Sequence, residues 1–214
     1  MDGRGQRALR ARTSRWLIAG RCCAAIGWLL WVAMQAIAKD PFPPEISISQ
    51  YGLGGAGWVF TVWAVALAAA PILLLLGAPV PGPALPMLVV GFAGAVVMGV
   101  VRTDEGVGLL TWYARVHMMG AVTSLVFLPL GILFALRFAD RRTWWIGVGL
   151  VVAAGIVGVL VLVSTGVDTV GIGRARSWAL WQGILVVIDM LLVTLHAVAA
   201  GRITPRMNAV GANG

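Results

Sequence analysis

Six apolar stretches, each long enough to cross a lipid bilayer, occupy most of this chain. They run Cys22 to Ala38, Trp58 to Leu76, Leu85 to Val101, Trp112 to Leu136, Trp144 to Ser164 and Trp178 to Ala200. Each holds about 17 to 25 residues, against the roughly 20 a helix needs to cross about 30 Å of hydrocarbon. Too little sequence lies between them to build a soluble core. The composition agrees, with 60% hydrophobic and 11% charged residues and a mean hydropathy of +0.93. The expected fold class is all-α: a polytopic membrane bundle of six transmembrane helices. A basic arm, 1–15, precedes a single six-helix domain, 16–201, and a disordered tail, 202–214, follows it.

Arginine and lysine set the expected orientation. Arg4, Arg7, Arg10, Arg12, Arg15, Arg21, Arg137, Arg141, Arg142, Arg202 and Arg206 share one side if both termini are cytoplasmic. Lys39, Arg102, Arg115, Arg174 and Arg176 fall on the other. This asymmetry accounts for most of the net charge of +8, and the basic arm lies where anionic lipid would attract it. No nucleic-acid-binding signature accompanies the charge. Ala36-Ile37-Ala38 has the small-x-small pattern of a signal-peptide cleavage site. The apolar stretch before it is too long for that, so the first span is expected to remain. The adjacent Cys22 and Cys23 face a reducing compartment and provide no disulfide framework.

Packing signals are plentiful. Gly91, Ala95 and Gly99 form a small-residue stripe on the third span; Ala64 with Ala68, and Ala154 with Gly158, repeat the device on the second and fifth. Pro71 interrupts the second span. Trp16, Trp58, Trp112, Trp144, Trp145, Trp178 and Trp181 cluster at the expected span ends, as an aromatic belt would.

Chemistry-bearing residues are few. Gly52, Gly54 and Gly57 formally match G-x-G-x-x-G, but they precede a membrane helix and lack the strand and crossover that a dinucleotide site requires. In the first outer loop Ser47, Ser49 and Gln50 could cap helix ends or face a ligand. In the second, Asp104 and Glu105 precede Tyr113, Arg115 and His117. His117 lies about 7.5 Å of helix past Trp112, within reach of a carboxylate such as Asp104. That pair reads either as an acid–base couple or as a hydrogen bond tying loop to helix. On the last span Gln182, Asp189 and His196 are spaced by seven and share a stripe. Asp189 falls near the membrane midplane, where a carboxyl group is by default a functional-site hypothesis, with Gln35 as a candidate partner. A metal site is not expected, since two histidines on different helices cannot assemble zinc ligands without heavy carboxylate support. No cofactor is implied.

Thr103-Asp104 after the third span, then Arg115-x-His117 opening the fourth, resembles the domain-of-unknown-function 998 family of six-span prokaryotic membrane proteins. Pro-Glu-Ile-Ser-Ile-Ser in the first outer loop is similar to that family's isoleucine–serine stretch, and Gly171-x-x-Arg174 matches more loosely. The resemblance covers roughly Cys22 to Ala200. It departs at Val101-Arg102, where members often carry proline. The family looks distantly like eukaryotic six-span proteins of the FRAG/DRAM type, linked to lipid remodelling and autophagy. The resemblance highlights Thr103, Asp104 and His117 and implies no activity.

Three functional readings follow. One is a non-enzymatic module in a bacterial plasma membrane, binding a lipid headgroup or amphipathic small molecule in an outer-face pocket built from Thr103, Asp104, Arg115, His117 and Arg174. Another is a lipid-modifying enzyme using Asp104 and His117. The third is a small transporter carrying protons on Asp189. Membrane lipids are the expected partners, with a homo-oligomer or a larger membrane complex open.

Overall fold

The structure is a computed structural model that describes residues 3–40, 42, 44–55, 57–103 and 111–211. Its helices are α1 (Gly3–Ala38), α2 (Gly57–Gly77), α3 (Ala84–Val100), α4 (Trp112–Leu136), α5 (Arg141–Ser164) and α6 (Arg174–Gly211), with a short 3-10 helix at Ile48–Gly52. Among the described residues there is no strand, so the chain is all-α. Five helices are long and apolar enough to cross a membrane; α3 is apolar but only 17 residues long. A chain of this hydropathy has no water to satisfy its backbone, and helices satisfy it internally.

Local chemistry sets the helix limits. Thr111 caps α4, its hydroxyl accepting from Ala114 N at 3.3 Å. Asp140 caps α5, accepting from Thr143 N at 3.0 Å and from the Thr143 hydroxyl at 2.7 Å. These bonds hold the Asp140 carboxyl below the ordinary carboxylate range. Pro71 and Pro129 both lie inside unbroken helices. At the far end α6 continues to Gly211, where a disordered tail from 202 is expected. Ile203, just past that limit, is buried with Leu74, Ala78, Ala197 and Ala200.

Neighbouring helices run antiparallel, and glycines mark where they touch. Along α1 and α2, Gly77 meets Leu17, Gly20 meets Leu74 and Gly27 meets Leu67, while the Trp31 and Trp63 rings lie 5.9 Å apart. Along α3 and α4, Gly131 meets Leu88, Gly91 meets Leu128, and Gly94 crosses Gly120. A Cβ on Gly94 would stand 2.7 Å from Gly120 O, and one on Gly120 would stand 2.8 Å from Gly94 O. Such backbone-to-backbone approach is what holds helices together where lipid is as apolar as leucine. Gly99 packs on Thr61 and Ala64 of α2, so two members of the expected third-span stripe are contact points. Gly158 differs: nothing lies within 4 Å of its Cβ position, although Ala154 is buried with Val157 and Leu185.

The ring closes through α6. Trp28 Nε1 donates to Thr194 Oγ1 at 3.0 Å and Arg21 Nε to Ala197 O at 3.2 Å, joining α1 to α6. Helices α4 and α5 meet near their joining turn, where Gly147 packs on Leu133 and Leu136. This antiparallel order gathers residues 39–40, 44–55, 101–103 and 165–173 at one end of the bundle. Turns 78–83 and 137–140 and the outer ends of α1 and α6 sit at the other.

Candidate functional site: an apolar cavity with unpaired polar atoms

A cavity of about 230 Å³ occupies the middle of the bundle, walled by α2, α3, α4, α5 and α6 and covered by the 3-10 helix through Ile48 and Ser49. Its α4 wall runs from Ala114 to Ile132, about 27 Å of helix. Small residues make the room: Ala64, Ala68, Ala95, Ala114 and Ala121 all line it. Met118, Val122 and Leu162 belong both to the wall and to the exposed surface, at 49%, 53% and 67% exposure. They mark a side opening between α4 and α5, away from the turn where those helices touch.

The polar wall groups come from separate parts of the sequence. Thr103 follows α3, His117 opens α4, and Gln182 and Asp189 lie on α6. The expected outer-loop group and the expected α6 stripe thus contribute to one cavity. His117 is 3% exposed, and its Nδ1 lies 2.7 Å from Val101 O. A carbonyl only accepts, so Nδ1 carries the proton and the neutral ring presents Nε2 as an acceptor. Nε2 has no partner, and neither do Asp189 Oδ1 or Trp63 Nε1, all three inaccessible and all on cavity-lining residues. Leaving one such atom unmatched costs about 1–3 kcal/mol. All three belong to residues that line the one apolar chamber.

Aromatic packing positions these groups. The Phe60 ring stacks on His117 with centroids 6.2 Å apart and lies 5.6 Å from Trp63. Trp63 is 3% exposed and lies outside the belt of tryptophans that mark the expected span ends. Its signal was present: an indole one turn deeper than Trp58 needs a buried acceptor for its N–H.

Other expected site residues lie elsewhere. Arg115 and Arg174 are exposed and do not line the cavity. Asp104 and Glu105 lie outside the described residues, so the Nδ1 partner of His117 among the described residues is the Val101 carbonyl. His196 is 1% exposed with Nδ1 unpartnered, further along α6 than the cavity wall. Gln35 engages Tyr51 rather than Asp189: the Tyr51 hydroxyl is 3.1 Å from both Gln35 Oε1 and Asp40 Oδ2. Burial, then the Asp40 charge, pushes that phenol up to about 12. Ser49 lines the cavity, while Gln50 Oε1 accepts from Ser47 N at 2.7 Å. The glycines of the G-x-G-x-x-G match have a local cause: a Cβ on Gly57 would collide with Gly52 O, and Gly54 has φ +79°. Among the described residues no three His, Cys, Asp or Glu side chains gather.

The loop beside the opening is built on Asp168. Its carboxylate accepts from Gly171 N at 2.9 Å, Gly173 N at 2.7 Å and the Ser177 hydroxyl at 2.6 Å. The Ser177 bond first, then the backbone N–H groups, hold this carboxyl down at about 2. Gly171 and Gly173 take φ of +76° and +95°, which explains the glycine in the Gly171-x-x-Arg174 pattern. Trp181 Nε1 donates to Thr169 Oγ1 at 2.8 Å, pinning the same loop to α6. An exposed ion pair between Glu45 and Arg176 links the first loop to the start of that helix.

No curated protein and no solved structure matches this chain. The family described as protein of unknown function, DUF998, matches residues 22–199, from the inner part of α1 to the end of the expected sixth span. A helical bundle with several membrane-length apolar helices agrees with that match, and the chain belongs to the DUF998 family of multi-pass membrane proteins of unknown function.

Proposed function

We propose that this protein is a six-span module that binds one amphipathic molecule from the surrounding membrane in its central cavity. The supporting observation is the combination of an apolar chamber, a side opening toward hydrocarbon, and unpaired polar atoms on His117, Trp63 and Asp189. An apolar chain along the α4 wall removes hydrocarbon surface from emptiness, and a polar end near Asp189 or His117 restores missing hydrogen bonds. Arg115 and Arg174, as free outer-face cations, then serve the membrane surface rather than the ligand.

In this reading α3 also crosses. It is paired with α4 along its length, from Leu88 beside Gly131 to Val101 beside His117, and α4 is itself of membrane length. Seventeen residues rise about 25 Å, enough for a nearly upright helix. Both termini lie in the cytoplasm of a bacterial cell, and residues 39–40, 44–55, 101–103 and 165–173 face outward, as the arginine asymmetry directs.

Native mass spectrometry of protein released from nanodiscs tests the binding. One amphiphile should stay bound to the wild type, and Ala121→Trp, which fills the chamber beside the opening, should release it. Equal retention by both proteins would count against the cavity as the binding place. For orientation, a cysteine at Gly166 in a Cys22→Ala, Cys23→Ala background should react with an impermeant maleimide on intact cells. Labelling only after lysis would reverse the topology.

A further inference from the structure

The cavity wall is electrostatically one-sided. Asp189 lines it, and among the described residues no lysine or arginine does. Of the three unpaired atoms on wall residues, Asp189 Oδ1 and His117 Nε2 call for a donor, and Trp63 Nε1 calls for an acceptor. By the helical rise Asp189 lies about 16 Å from Trp178 on α6, well inside the hydrocarbon depth, where an isolated carboxylate needs a partner of opposite sign. Phe60, Trp63 and Trp178 add aromatic surface to the same wall, and ring faces attract cations.

These facts separate three kinds of polar end. A carboxylate or phosphate would meet Asp189 with no cation to offset the repulsion. An alcohol would satisfy one acceptor and bring no charge. A primary ammonium brings opposite charge, three N–H donors and affinity for the aromatic wall. Resting on the amphiphile reading above, we infer that the cavity selects lipophilic amines, with the ammonium on Asp189 and the chain along α4.

The test uses the full chain in phosphatidylcholine nanodiscs, immobilised, with radiolabelled dodecylamine, dodecanol and dodecanoate. Each probe is compared at equal mole fraction in the bilayer, after subtraction of empty discs. Dodecylamine should bind at least tenfold more tightly than the other two. Asp189→Asn should erase that preference, and Asp189→Glu should keep it. Should Asp189→Asn fail to fold, the wild-type probe series and Asp189→Glu still decide. Equal binding of all three probes, or preference for dodecanoate, overturns the amine assignment and leaves the amphiphile reading standing. Binding of none above empty discs overturns the amphiphile reading itself.

Discussion

Helix α4 has two flanks of opposite character. Against α3 it is sealed, with Gly94 and Gly120 bringing backbone onto backbone and Gly91 and Gly131 each receiving a leucine from across the pair. Against α5 it is joined near the turn, where Gly147 receives Leu136, and further out Met118, Val122 and Leu162 line a chamber while facing outward. The lesson is that small residues do two jobs in one bundle. Where a facing glycine or leucine fits against them they close a seam, and where they line the chamber, as at Ala121, they leave space.

The largest effect should come from breaking the seam. Gly94→Leu places a side chain against Gly120 O and Ser124 N, backbone atoms that cannot step aside, and should destabilise the protein by about 3 kcal/mol or more. Loss of a monodisperse peak in size-exclusion chromatography and a lowered melting temperature would record it. Gly158→Leu is the matched control, since nothing lies within 4 Å of its Cβ position. A seam that tolerates Gly94→Leu as well as α5 tolerates Gly158→Leu would erase the contrast.

Next in size, filling the open flank with Ala121→Trp should lower amphiphile retention by about tenfold, which is about 1.4 kcal/mol, with melting temperature little changed. A smaller effect belongs to the lip. Asp168→Ala should speed hydrogen exchange at the amides of Gly171 and Gly173 while α3 and α4 stay protected. Because the Asp168 carboxyl is depressed to about 2 from an ordinary 3.8, its stabilising bonds are fully present above about pH 4 and are lost as pH falls through about 2. Loop exchange that is flat across that window would remove Asp168 from its role. Smallest of all, Tyr51→Phe should loosen the first loop by about 1 kcal/mol. The pH sign is opposite here: the phenol is raised from 10 to about 12, so its contribution holds below pH 10 and fades above it.

Much of the architecture could be read from composition and length alone. Apolar runs separated by proline and glycine turns locate the six α-helices, while the 3-10 helix at Ile48–Gly52 leaves no such signal. Less was legible where packing decides. Gly94 and Gly158 look alike in sequence, yet one touches backbone and the other touches nothing within 4 Å, because spacing does not reveal which face meets a neighbour. For the same reason the burial of Ile203 against α2 was not visible in the sequence. Thr103, His117, Gln182 and Asp189 were each visible as unusual, but their meeting in one chamber depends on how α4 and α6 turn toward each other. Asp168 escaped notice because a carboxylate in a glycine-rich loop looks like ordinary solvated surface until its N–H partners are placed.

The most direct measurement is photocrosslinking in native membranes with a diazirine-bearing acyl chain, followed by peptide mapping. Adducts on the segments around Met118–Leu125 and Leu185–Val193, lost in Ala121→Trp, are the expected result. Adducts confined to the outward face of α5, at Val152, Ile156 and Val159, with none on the chamber wall, would contradict an occupied cavity.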